Sequence, residues 1–195
     1  EETILQTLLE HSKIDSEELL ILNRMFLVFI GKDDGDLTIL FDQIQNINNE
    51  NVKIFETVTD HIIQSNFDFQ KQYDLLRLQQ RIDSVSGLII ATAKRIIIAS
   101  NIGSKLPEDL HDILENLIQL VIESQNTFIE SIEKFRTSRR EVIKLIHKSE
   151  EQENMVDNVR SQALEILFNV ANTGSLRMGD LSAIEGLIEY VEDIS

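Results

Sequence analysis

Carboxylates one turn apart on facing helices are how helical bundles hold paired iron or manganese ions. Two segments of this chain carry that spacing. One is Ser149-Glu150-Glu151-Gln152-Glu153-Asn154, where Glu150 and Glu153 can supply half of a carboxylate cluster. The other is the chain end, where Glu189, Glu192 and Asp193 stand three or four residues apart and share one side of a helix. Iron, zinc or manganese is the cation class such donors take. His147 precedes Glu150 by three residues, the reverse of the Glu-x-x-His order in di-iron bundles. Glu108–His111 has the right order, but it is a single copy in a first turn, where acids favour the positive helix end. Each acidic cluster also reads as an ordinary solvated helix face. Both readings stay open.

A second kind of chemistry is suggested between residues 134 and 148. Arg136, Arg139, Arg140, Lys144 and Lys148 follow Lys134 there, with Glu141 alone against them. Guanidinium groups grip phosphate or carboxylate in two-pronged fashion, so the stretch can serve an anion or an acidic partner. It can equally be a basic helix end followed by a solvated hairpin tip. The local excess stands out because the 195-residue chain carries 18 basic and 34 acidic residues, a formal charge of −16. That balance repels nucleic acid and anionic membrane surfaces. Cysteine is absent, which removes disulfides, zinc fingers, iron–sulfur clusters and thiol nucleophiles. No glycine-rich phosphate loop, Gly-x-Ser-x-Gly elbow or His-Glu-x-x-His motif occurs. The pattern points away from a nucleophilic or hydride-transfer enzyme.

The elements that would position these groups are helices. Apolar residues recur at three- and four-residue steps almost throughout, and seven Gly and one Pro leave little room for a turn-dense β protein. Breaks at residues 31–36, 65–68, 101–107, 137–138 and 172–180 carry helix-end chemistry, including Ser138 three residues before Glu141 and Asp15 three before Glu18. The pattern predicts helices over about 16–32, 35–65, 68–101, 107–137, 138–170 and 178 to the end, preceded by a short helical piece in residues 3–10. Short connections force antiparallel neighbours. The expected fold is therefore all-α, with six long antiparallel helices forming two pseudo-repeated three-helix bundles. Residues 1–104 would be the first repeat and 105–195 the second, packed as one unit. No apolar run approaches the roughly 20 residues of a membrane span, and a cytoplasmic protein is expected. Ser195 is followed by no helix-stopping residue, so the last helix is expected to continue in a slightly longer chain.

The apolar stripes of the second and fifth helices are interrupted. Asn48-Asn49-Glu50-Asn51 breaks one, and Ser149 to Asn154 breaks the other. Aligning Ile44 with Ile146 matches Asn48 with Glu150. In the third helix Gln79, Gln80, Asp83 and Ser84 interrupt a run of leucines and isoleucines. Polar groups at stripe positions must be hydrogen-bonded, hydrated or bound to something.

In helix order and in these interruptions, the chain resembles the PhoU-like family, in particular its small phosphate-transport-regulator branch. The resemblance implies two three-helix repeats, each with a Glu/Asp-x-x-x-Asp pair on its second and third helices, where iron or zinc clusters can be held. Ile146 to Glu150, continuing to Asn154 where the family usually has Asp, resembles one such pair, and Glu192-Asp193-Ile194-Ser195 resembles the start of another. The first-repeat positions are Asn48, Val52, Gln80 and Ser84, none acidic, with Asp83 adjacent; this would be a degraded site. The function implied is a cytosolic, non-enzymatic regulator that touches a phosphate transporter or its sensor. Such a protein would reach the membrane only through that partner, and could form a homodimer. The competing expectation is a metal-binding bundle, either a di-iron enzyme or a metal store, with ligands from Glu150, Glu153 and Glu192, joined by His147.

Overall fold

Helix ends fall where side chains satisfy amides that a helix leaves without partners. The structure is a computed structural model describing residues 2–195, with side chains from residue 3 onward. Its helices are α1 (Glu2–Phe29), α2 (Leu37–Ile63), α3 (Phe69–Asn101), α4 (His111–Lys134), α5 (Arg139–Asn172) and α6 (Met178–Glu192). Among the described residues there is no strand. Asp36 caps α2 by accepting from the Thr38 and Ile39 amides at 2.7 and 3.2 Å, and Asp68 accepts from the Lys71 amide at 2.9 Å to cap α3. Ser138 caps α5, accepting from the Glu141 amide. Replacing Asp36 with Ala should cost about 1 kcal/mol; a urea-unfolding midpoint unchanged from the parent would show that water caps α2 equally well.

Three boundaries differ from the sequence expectation. Helix α1 runs unbroken through residues 11–15, so Asp15 and Glu18 lie in mid-helix rather than forming a cap. Pro107 leads into a 3-10 turn, Glu108–Leu110, and α4 begins only at His111. Helix α6 ends at Glu192, short of the chain end. Gly31, with φ of 76°, terminates α1 in a left-handed conformation that a side chain would resist.

Helices α1, α2 and α3 pack on one another, as do α4, α5 and α6, and the two triplets join through α1 against α4 and α3 against α6. Two links fasten the second joint. Arg177 pairs with Asp180 at 2.7 Å and donates to the Ile102 and Gly103 carbonyls, pinning the α3–α4 connection to the start of α6. Arg95 lies over the Tyr190 ring, and the absent side chain of Gly186 leaves room for it.

The core has two parts. A large apolar cluster includes Leu22, Phe26, Ile44, Ile89, Ile96, Leu117, Val121, Val156, Leu167 and Ile188, from all six helices. A smaller cluster of Ile4, Leu8, Val58, Ile62 and Ile82 fills the other end of the first triplet. What separates them along α1 is polar.

Candidate functional site

On α1 the inward stripe runs Ile4, Leu8, His11, Asp15, Glu18, Leu22, Met25, all of them buried. The three- and four-residue steps never break. His11, Asp15 and Glu18 therefore enter the bundle as stripe members between the two apolar clusters. Neighbouring helices meet them with Asn48 and Asn51 from α2 and with Ser86 from α3. Asn51 donates its amide to Asp15 Oδ1 at 2.9 Å and to Ser86 Oγ at 3.2 Å, while Asn48 donates to the same hydroxyl at 2.8 Å. Ser86 in turn donates to Glu18 Oε2 at 2.6 Å. A hydroxyl has one proton and two lone pairs, so Ser86 is fully used. It is the hub of the layer.

The layer is incompletely satisfied from within the protein. Both ring nitrogens of His11, Asp15 Oδ2, Glu18 Oε1 and Asn51 Oδ1 are buried without a hydrogen-bond partner. Burial in a low-dielectric interior disfavours charge. It pushes Asp15 up to about 9, helped by the negative potential of Glu18 and Asp83 and opposed by the Asn51 hydrogen bond. Glu18 rises to about 7 by burial, against the stabilising Ser86 bond. His11 falls to about 4 by burial. Its Nε2 lies 3.9 Å from Asp15 Oδ1. At neutral pH both groups are uncharged, so this is a contact and not an ion pair. Asp83, half-buried on α3, is also raised by burial.

A cleft opens beside this layer. Helix α1 packs on both α3 and α4, yet no Cα of α3 comes within 8 Å of α4 or α5. The resulting space, about 480 Å³, has Ile82, Val85 and Leu88 on the α3 side, Gln125 and Phe128 on α4, and Ile146, Glu150 and Glu153 on α5. Residues Asp193–Ser195 also line it. Gln125 links cleft and layer, donating to the Ser12 carbonyl of α1 at 3.2 Å.

The predicted acids take separate places. Glu150, Glu153 and Asp193 line the cleft, while Asn154 is exposed and donates back to the Glu150 carbonyl. Glu189 and Glu192 are held by Arg160, at 2.6 and 3.5 Å. Arg160 offsets one of the two negative charges and engages a carboxylate oxygen of each residue. Among the described residues no group of three or more His, Asp or Glu has the geometry to hold a metal ion. Of the first-repeat positions, Asn48 and Asp83 adjoin the buried layer, Ser84 lines the cleft and Gln80 is exposed. Arg139, Arg140, Lys144 and Lys148 lie on α5 toward solvent, as does Arg136 just before it. His147 contacts Glu150 at the surface, 3.2 Å away.

The alignment of the second and fifth helices also shifts by one residue. Ile44 is fully buried but Ile146 is half exposed, and the matching buried pairs are Ile44 with Leu145, Asn51 with Gln152 and Ile62 with Ala163. One residue turns a helix by about 100°. The inward polar residue of α5 is therefore Gln152, and the acids beside it face outward or toward the cleft. Sequence reasoning misses His11, Asp15 and Glu18 because an Asp-x-x-Glu spacing resembles a helix start. The unbroken step from Ile4 to Met25 is the signal that could find them.

With the geometry in place, known structures give a match along nearly the whole chain. A PhoU-like protein from Shewanella oneidensis MR-1 superposes with a TM-score of 0.84 at 18% identity, covering 97% of this chain and 91% of its own. A second protein from the same organism, proposed to be a PhoU-like phosphate regulatory protein, gives 0.79 at 18% identity, covering 98% and 91%. No protein-family sequence model matches the chain, and no curated protein matches it significantly. At this identity the likeness establishes the fold. The chain has the all-α architecture of PhoU-like proteins.

Proposed function

We propose that this chain is a non-enzymatic regulator of phosphate uptake, an adapter that acts through contacts with a phosphate transporter or its sensor. The observation that carries this reading is the near-complete structural match to two PhoU-like proteins, one of them proposed to be a phosphate regulatory protein. The reading is supported by an open cleft between the two helix triplets, with an apolar floor and charged edges, which suits contact with another protein. Residues 1–104 and 105–195 would serve as the two halves of the adapter, with the cleft at their junction. No helix among the described residues is long and apolar enough to cross a membrane. In this reading the adapter meets the transporter from the cytoplasmic side.

Removal of the protein from its source cell should leave phosphate uptake unrestrained when external phosphate is plentiful, measured as radiolabelled phosphate accumulation. Cross-linking in intact cells should join the chain to a phosphate permease or its sensor kinase. Uptake indistinguishable from the parent strain, with cross-links only to unrelated soluble proteins, would overturn the reading.

A further inference from the structure

Resting on the adapter reading, we infer that the cleft between α3 and the α4–α5 pair is the seat of a basic amphipathic helix supplied by a partner protein. The shape comes first. The lining residues span 81–88 on α3, 124–131 on α4 and 146–153 on α5, matching stretches of about two turns, or roughly 11 Å of helix. Packed helices sit 8–10 Å apart, and α3 stays more than 8 Å from α4 and α5 at every Cα. The α3 wall and the α4–α5 wall therefore do not pack on each other, and the groove between them is open to a further helix. Ser84 on one wall and Ser149 on the other are small, so a helix backbone can approach closely.

The chemistry of the lining selects the occupant. Val85, Leu88 and Phe128 offer an apolar floor, and Ile146, half exposed, extends it up the α5 wall. Apolar side chains at i, i+3 or i+4, and i+7 of an incoming helix would reach that floor. At the edges stand three carboxylates, Glu150, Glu153 and Asp193, against the single guanidinium of Arg81. A net negative edge favours lysines and arginines flanking the apolar face and disfavours an acidic helix. The chain's overall charge of −16 adds long-range attraction for a cationic segment.

The probe is a fluorescein-labelled Leu/Lys peptide of about 18 residues, five turns of amphipathic helix, titrated with the full chain and read by anisotropy. Its control is a scrambled peptide of identical composition that has no apolar face. The amphipathic peptide should bind one to one, and the scrambled peptide should bind at least tenfold more weakly. Ser84→Trp and Ser149→Trp, which fill the cleft from opposite walls, should each abolish binding while leaving the circular-dichroism spectrum unchanged. Glu150→Gln, Glu153→Gln and Asp193→Asn together should weaken binding about tenfold, as expected for three exposed ion pairs. Equal binding of the scrambled peptide would reduce the effect to bulk charge and overturn the proposal. So would binding insensitive to both tryptophans. Sedimentation showing a dimer of the parent chain that Ser84→Trp converts to monomer would make the occupant a second copy and also overturn it. Peptide results leave the uptake phenotype untouched, so failure of the cleft and failure of the phosphate-regulator reading are separable.

Discussion

The unfolding free energy is expected to fall as the pH rises from about 5.5 to 8.5, and Asp15→Asn should remove the larger part of that fall. The cause is the buried layer on α1. In the native state Asp15 holds its proton to about pH 9 and Glu18 to about pH 7, whereas the ordinary values of 3.8 and 4.5 leave both ionised in the unfolded chain. A group with a raised native pKa contributes stability that is fully present below its unfolded pKa and lost as pH rises through the native one. Each proton that the native state holds and the unfolded chain lacks costs about 1.4 kcal/mol per pH unit. Over three pH units Asp15 accounts for at most about 4 kcal/mol. His11 has the opposite sign. Its pKa falls from 6.5 to about 4, so its contribution is present above pH 6.5 and fades as pH drops toward 4. Its effect flattens the curve below pH 6.5, and the steepest loss lies between about pH 6.5 and 7, where both carboxylic acids act together.

An amide at position 15 keeps the size of the protonated acid and cannot ionise. Urea unfolding of the Asp15→Asn variant should already exceed the parent near pH 5.5, because Asp15 is ionised in the unfolded parent there, and its advantage should widen by up to about 4 kcal/mol by pH 8.5. A parent protein whose stability is flat or increasing over that range would show that water reaches the layer and that the acids are ionised there. Glu18→Gln serves as the second arm, because its effect should be complete by about pH 7.5 while that of Asp15 continues to grow.

The same residues mark where sequence reasoning succeeds and where it fails. Ser138 announces a helix start because a short polar side chain beside an apolar run has few better uses, and it caps α5, while Asp36 and Asp68, which end two of the predicted breaks, prove to cap α2 and α3. Periodicity and a scarcity of turn residues are enough for the all-α class. Asp15 and Glu18 satisfy the same local rule, yet they sit in mid-helix. What decides between the two outcomes is whether other helices bring partners, and Asn51 and Ser86 lie 36 and 68 residues away from the acids they bond. No local pattern carries that information. The acids of α5 illustrate a different limit. A stripe gives phase only while it is continuous, and through residues 149–154 the alternatives differ by single-residue rotations. Glu150 and Glu153 are legible as a helix face, but not as the edge of a cleft whose opposite wall comes from α3.

The polar layer also divides the first triplet into parts of unequal stability, which amide exchange should resolve. The large core is shared by all six helices, while the buried members of the smaller cluster, Ile4, Leu8, Val58, Ile62 and Ile82, come from α1, α2 and α3, with Phe128 and Ile132 of α4 packed against them. Less apolar surface is buried there, so that end should open at a lower free energy than the whole protein. Phe26 is fully buried in the large core, and Phe26→Ala is expected to cost about 3–5 kcal/mol, a large share of the roughly 5–15 kcal/mol of a typical domain. Protection should then fall at every slowly exchanging amide. Leu8→Ala is also expected to cost about 2–5 kcal/mol, but within the smaller cluster. Its effect should be confined to the start of α1, the end of α2, the first half of α3 and the end of α4, with the amides around Phe26 and Ile188 unmoved. A rise from pH 6 to pH 8.5, after correction for intrinsic exchange, should act in the same direction as Leu8→Ala, because charge on Asp15 and Glu18 loosens the seam between the clusters. Uniform loss of protection in both variants would mean that the layer transmits packing as an apolar core does, and that the hydrogen bonds centred on Ser86 join the two clusters into a single cooperative unit.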